Sequence, residues 1–552
     1  MNLGAPEESL LKRYPKAIAH MHWRNSVRRL GLVFGAGASR DLGFPTWETL
    51  VRRIARSSEV DGSDLVPKEL RKPLPIIAES AFHLFRERHL PAVRKLSRNV
   101  NDIDRLLTAR WVDLLHRCLY QGVPTTTPGL LKRDTVYKHL LPIVKRSPIT
   151  VNYNYDDTLQ RILLHDKPAD AGRGFETVTD PNLPHSPSNA VLYHPNGFLP
   201  HNLMERTSQK IVFNEGTFAG QVSDFMMGTF SSMLNHLSQN TALFVGLSLS
   251  DETLRHMLHR SAILNPGHYH YYVAHCDSTA RPPSPAMKAE AAANFETYNL
   301  ITLFLDSSDI AALGHCLAAP EADLKRCAKE NAVRLSYTFY LVGVPGVGKT
   351  TALSQFKDLA TWDEWLDERL PEMGKPFPSL TDRERQKVDE WIMKQVGLKN
   401  TGLIEAEEKA GIGITIVDRC VPDAVTFTQP KGWKDKAQSL LEAISPKKAN
   451  LKVYPGHVIL LVGDAEEISI RAEIKNRKAK AKYIEGLQAA LDTVYGSRGV
   501  TKLDVSRLTI REAVKEVARL IHLENYTTCN LQKRLEDIRD GRIRSGREIK
   551  VR

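Results

Sequence analysis

Apolar residues recur in this chain with two distinct spacings. From about Trp47 to Lys145, Leu, Ile and Trp fall three or four apart, as in LVRRIARS and DIDRLLTARWVDLLHRCLYQ, which predicts a run of helices. Short, nearly continuous apolar runs lie on either side. Val27 to Phe34 predicts a strand that runs straight into Gly35-Ala36-Gly37-Ala38-Ser39. Further strands are predicted at SPITVNY, NAVLYH, QKIVFN, TALFVGLSLS and HYHYYVAHC, each followed by loop or helix signals. Strands alternating with helices imply an α/β fold on a mostly parallel sheet. A second series opens at Tyr337 to Val342, after the charged helical stretch EADLKRCAKENAVR, and continues at Gly413 to Val417 and His457 to Val462. The pattern divides the chain into residues 1–320 with a helical insertion at about 47–145, a linker at 321–335, a second α/β unit at 336–525 and a basic tail at 526–552.

Length agrees with more than one core. At 552 residues the chain exceeds what one domain of about 100–200 residues holds. Hydrophobic residues at 42% and charged residues at 25% are ordinary for a globular protein. No apolar run approaches the roughly 18 residues of a membrane helix, and MNLGAPEESLLKRYPK lacks the order of a secretory signal, so no membrane association and a cytoplasmic location are expected. The six cysteines are scattered without a C-x-x-C pair, which argues against a disulfide framework and against zinc. A formal charge of +12 suits an anionic partner, nucleotide or nucleic acid. Part of it lies in QKRLEDIRDGRIRSGREIKVR, readable as a solvated helical tail or as a phosphate-contacting one.

Candidate chemistry enters with Gly343 to Thr350, GVPGVGKT, which matches G-x-x-x-x-G-K-[ST] between a strand and the helical stretch TALSQFKDL. Glycines such as Gly343, Gly346 and Gly348 let backbone N–H groups curl round phosphate oxygens. Lys349 can reach the outer phosphates, the Thr350 hydroxyl can hold Mg²⁺, and Thr351 adjoins them. After the strand ITIV come Asp418, placed to hold Mg²⁺ or a base, and Arg419, placed to contact phosphate. Arg471 and Arg477 lie in a basic stretch that reads either as a lid over phosphates or as a solvated helix face. In order and spacing these residues resemble the thymidylate and deoxynucleoside kinase branch of the phosphate-loop fold. The resemblance covers about 190 residues and implies ATP or another nucleotide with Mg²⁺.

The first half carries a looser set. LVFGAGASRDLGFPTW is a strand followed by G-x-G, and it is joined by Asn154-Tyr155-Asp156-Asp157, by VLYHPNGFLP, by IVFNEGTF and by FVGLSLSD. In this order the set resembles the sirtuin-like NAD-consuming domains of bacterial antiphage defence proteins, over roughly residues 20–310. The resemblance implies that Gly35, Ala36, Gly37 and Ser39 line the NAD diphosphate, that Asn154 and Asp156 hold the nicotinamide ribose, and that Ser248 contacts ribose or phosphate. Cleaving the glycosidic bond of NAD passes through an oxocarbenium-like state that amide or carboxylate oxygens stabilise. Protein-deacylating sirtuins carry a four-cysteine zinc ribbon and an acidic residue after the loop proline, whereas this chain has no paired cysteines and reads Phe44-Pro45-Thr46-Trp47. The implied outcome is therefore hydrolysis of NAD to nicotinamide and ADP-ribose.

The family usually places histidine immediately before the glycine of the segment that reads VLYHPNGFLP here. Here Asn196 holds that position and the histidine lies two residues earlier at His194. A strand period of two puts both on one side, so His194 is read as ribose base or orienting group, and Asn196 as its substitute. His268, His270, His275 and Cys276 share an aromatic-rich strand, which explains them better than a metal does. The expected fold is a Rossmann-like sirtuin domain with a helical insertion, followed by a kinase-like α/β domain. The expected partners are nucleotides, a second copy of the chain, and a phage-derived activator or partner defence protein. Two other readings stay open: a nucleoside monophosphate kinase whose first half only binds nucleotide, and a nucleic-acid-binding module.

Overall fold

Two parallel sheets stand where the two series of apolar runs lie, in a computed structural model that describes residues 3–70, 72–166, 174–179, 189–203, 211–226, 231–249, 251–277, 283–374, 380–409, 411–445, 452–474 and 480–543. The first sheet contains β1 (Leu30–Phe34), β2 (Ile149–Asn152), β3 (Phe175–Val178), β4 (Ala190–Tyr193), β5 (Thr241–Val245), β6 (His270–His275) and β7 (Leu300–Leu305), in the order β3-β4-β2-β1-β5-β6-β7. The second contains β8 (Ser336–Gly343), β9 (Ala360–Trp362), β10 (Gly413–Asp418), β11 (His457–Val462) and β12 (Val500–Asp504), in the order β12-β11-β8-β10-β9. Central strands β1, β5 and most of β8 are buried, as strands covered by helices on both faces must be, and this is why they read as unbroken apolar runs.

In both sheets the chain leaves the central strand and returns on opposite sides of it. β1 pairs with β2 on one side and β5 on the other, and β8 pairs with β10 and β11. A crevice opens at the C-terminal end of a strand flanked this way, and ligands bind there in open α/β sheets. Gly35 and the GVPGVGKT loop follow those two strands directly.

Several expectations from the sequence need correction. Val27 and Arg28 are not strand: Val27 caps the helix Pro15–Ser26, and Arg28 takes φ 58 to turn the chain into β1. Residues 211–213 of QKIVFN are irregular, because Thr217 Oγ1 accepts from the N–H groups of Phe213 and Asn214 and starts the helix Glu215–Met226 there. TALSQFKDL gives only a short helix, Lys349–Leu353, before a turn. The tail is not all solvated either, since Leu531, Leu535 and Ile538 of the helix Leu531–Arg539 are buried.

The two sheets share one apolar core, and the helix Pro15–Ser26 packs against a strand of each, β1 and β10. His20 Nε2 sits 2.9 Å from the carbonyl of Asp358, Asn25 donates to the carbonyl of Leu317 at 2.8 Å, and Lys16 donates to the carbonyl of Ile521 at 2.6 Å. Asp358 follows the helix Lys349–Leu353, is fully buried, and accepts the N–H of Tyr269 at 3.1 Å. Gly267 lies so close to Gln355 that a Cβ there would meet its carbonyl oxygen at 2.7 Å. His268 and His270, 4.9 Å apart, are buried at this joint. No helix among the described residues is long and apolar enough to cross a membrane.

Candidate functional site

The turn after β1 is built against the turn after β5. Gly35 N–H donates to the carbonyl of Val245 and Gly37 N–H to that of Gly246, at 3.0 and 2.9 Å. A Cβ on Gly35 would meet Leu247 Cδ2 at 2.5 Å, and Gly246 itself holds φ 73 with Ala38 N only 2.4 Å from where its Cβ would be. Close loop-on-loop packing alone therefore demands glycine here, before any ligand is considered. Ala36 opens a 3-10 turn, Ala36–Leu42, that buries Ser39.

The loop after β2 brings Asn154 and Asp156 to this turn. Asn154 Nδ2 donates to the carbonyl of Gly35 at 2.9 Å and to the hydroxyl of Tyr137 at 2.8 Å, with Ser39 Oγ at 3.2 Å. Asp156 accepts from Ser39 Oγ at 3.1 Å and from the N–H of Thr158 at 3.0 Å. Burial pushes its carboxyl up to about 6 against those bonds. Asp157 accepts from the Tyr120 hydroxyl at 3.1 Å and from the N–H of His201 at 2.9 Å. Tyr120 and Tyr137 both come from the helical module, so the inserted helices clamp the loop.

His194 is fully buried and both ring nitrogens are engaged, Nδ1 with the carbonyl of Asn154 at 2.8 Å and Nε2 with Gln160 Nε2 at 2.7 Å. A carbonyl only accepts, so Nδ1 carries the proton and Nε2 receives one from Gln160. Burial lowers its pKa to about 4, and the ring is neutral. His194 thus orients Asn154 through its backbone, and its basic nitrogen is occupied. Asn196 Oδ1 accepts from Gln221 at 3.2 Å, and its carbonyl accepts from Val212 N–H at 2.9 Å. Ser248 lies exposed on the turn after β5.

In the second sheet Gly343, Gly346 and Gly348 all take positive φ, at 153, 89 and 110. Lys349 folds back on its own loop and donates to the carbonyls of Gly343 and Val344 at 2.8 and 3.1 Å. Burial, with Arg419 nearby, brings its ammonium down to about 7. Thr350 Oγ1 donates to Asp418 Oδ2 at 3.2 Å, while the buried Oδ1 of Asp418 has no partner. A hydroxyl beside an orphaned carboxylate oxygen fits Mg²⁺, which takes few protein ligands and completes its shell with water and phosphate. Among the described residues no group of three His, Cys, Asp or Glu side chains could hold a metal without such help.

Arg419 is turned away from its expected phosphate role. With φ 64 it donates Nε to Glu364 at 2.6 Å, pairs with Asp423 at 3.5 Å and lies over the Phe427 ring at 5.1 Å. Lys399, from the helix Asp382–Lys409, ties the carbonyls of Asp363 and Asp418 together at 2.6 Å each. Thr351 accepts from Ser354 Oγ through its carbonyl, and Arg471 pairs with Glu467 at the surface. Arg477 lies outside the described residues. Sequence reading missed Tyr137, Gln160, Tyr120, Glu364 and Lys399, because each sits in a stretch that reads as an ordinary helix or strand end.

The family description SIR2-like domain matches residues 148–302. This supports the sirtuin-like part of the resemblance and implies an NAD-related domain, within an α/β fold of two parallel sheets. A search of curated proteins matches none to this chain.

Proposed function

We propose that the first sheet carries an NAD glycohydrolase site that releases nicotinamide and ADP-ribose. The observation that carries this reading is the meeting of Asn154 and Asp156 with the Gly35–Gly37 turn at the C-terminal end of β1. NAD enters as substrate. The glycine turn offers backbone N–H groups and close approach to the diphosphate, and the Asn154 amide oxygen faces the ribose as positive charge develops there. His194 and Gln160 hold the Asn154 backbone in place, and Asn196 with Gln221 closes the floor. The phosphate-loop domain binds ATP or another nucleotide with Mg²⁺ and governs NAD cleavage in antiphage defence, with a phage-derived component or a second copy of the chain as trigger. Destruction of a cofactor suits a site that must stay silent until signalled.

The test is chromatography of NAD, nicotinamide and ADP-ribose after incubation of the full chain with NAD, alone and with nucleoside mono- and triphosphates plus Mg²⁺, beside Asn154→Ala. Nicotinamide that the variant fails to release supports the reading. The pairing of Thr350 with Asp418 favours one other reading, a nucleoside monophosphate kinase. Intact NAD together with diphosphate formation that survives Asn154→Ala and fails in Lys349→Ala would select it.

A further inference from the structure

Nothing in NAD cleavage requires a tyrosine from the helical module at the centre of the site, yet Tyr137 is fully buried there on the helix Val136–Arg146. Its hydroxyl lies 2.8 Å from Asn154 Nδ2 and 2.9 Å from Ser39 Oγ, and Ser39 Oγ lies 3.1 Å from Asp156 Oδ2. The direction of each bond follows from what its ends can do. The carbonyl of Gly35 only accepts, so the Asn154 atom 2.9 Å away is the amide nitrogen, which donates to Tyr137 as well. Having accepted, the Tyr137 oxygen directs its single proton to Ser39 Oγ. Ser39 in turn directs its proton to Asp156 Oδ2, whose other oxygen accepts the N–H of Thr158. Both amide protons of Asn154 are then taken, and its Oδ1 has no hydrogen-bond partner among the described residues.

We infer that Tyr137 is a positioning residue for NAD cleavage: with Ser39 it joins Asp156 to Asn154 through a one-way chain of hydrogen bonds that presents the Asn154 amide oxygen to the ribose. The role in cleavage rests on the NAD reading; the chain of bonds does not. Bonds aligned in one direction reinforce one another, and the ionised carboxylate anchors them. A proton arriving at Asp156 removes the charge that anchors the chain and turns one oxygen into a donor, which weakens the alignment. The titratable groups that face Asp156 are Tyr137 and Tyr120 from the helical module and Asp157 on its own loop. NAD cleavage therefore declines as pH falls through the Asp156 titration, and the position of that decline depends on Ser39.

The experiment measures kcat, KM and NAD affinity across pH for the full chain and for Tyr137→Phe, Ser39→Ala and the double variant, with infrared titration of the Asp156 carboxyl band. Tyr137→Phe is expected to lower kcat about tenfold while KM and affinity move less than about threefold. Ser39→Ala is expected to shift the acid limb upward, and the double variant to be no worse than the more damaged single, since both break one chain. Unchanged kcat with an unmoved acid limb in Tyr137→Phe, or effects that simply add, overturns the inference. Should Ser39→Ala fail to fold, Tyr137→Phe, which keeps its ring, still decides. Should the unaltered chain leave NAD intact, the NAD reading fails, and the infrared titration alone judges the chain: a carboxyl band that Ser39→Ala or Tyr137→Phe leaves in place overturns it.

Discussion

Lys349 donates its side-chain N–H to the carbonyl of Gly343, 2.8 Å away, so the GVPGVGKT loop satisfies its own lysine. Its ammonium is brought from 10.5 down to about 7, because burial disfavours the charged form. This destabilises the fold fully below about pH 7, and the penalty fades as pH rises toward 10.5. An arriving phosphate reverses the preference. Nucleotide binding near pH 8 should therefore take up a proton, seen as a calorimetric enthalpy that depends on the buffer. Lys349→Met should abolish that dependence and weaken binding about tenfold to a hundredfold.

Burial shifts the Asp156 carboxyl upward, opposite to a carboxylate held by ion pairs. Its folded pKa of about 6 exceeds the ordinary 3.8, so the stabilisation from its protonated form is complete below 3.8 and gone once pH has risen through about 6. Asp156→Asn carries no charge to bury. At pH 8 it should melt no lower than the unaltered chain while losing NAD cleavage, a combination that separates function from stability in one thermal scan and one assay.

Gly246→Ala should be costly for two independent reasons, its φ of 73 and the 2.4 Å approach to Ala38 N. A loss of about 2–4 kcal/mol in chemical denaturation is expected, with NAD affinity reduced. Gly122 has φ 84 but nothing within 4 Å, so Gly122→Ala should cost only about 1 kcal/mol. Equal losses would mean that loop-on-loop packing contributes nothing.

Gly267→Ala drives a Cβ into the Gln355 backbone at 2.7 Å, next to the buried Asp358. The two sheets should then come apart as thermal units, and one cooperative calorimetric transition should become two.

How much of this was legible beforehand depended on the kind of signal. β1, β5, β8 and β11 are short apolar runs, and sequence shows such runs well. β3 (FETV), β9 (ATW) and β12 (VTKLD) lie at or near sheet edges and are only partly buried, so their polar residues hide them. Gly35, Asn154 and Asp156 were legible because glycine turns and polar residues after strands carry a local pattern. Tyr137 and Lys399 were not: each reaches its partners from a helix whose spacing records only burial. Arg419 shows a further limit, because Glu364, which diverts it together with nearby Asp423, lies 55 residues earlier and only folding brings it close.

The helix Pro15–Ser26 finds its partners far along the chain, at Leu317, Asp358 and Ile521. Lys16 and its partner Ile521 are 505 residues apart. Ile18, Ala19 and Met21 of the same helix are fully buried in the fold. One short helix thus couples the folding of the two sheets.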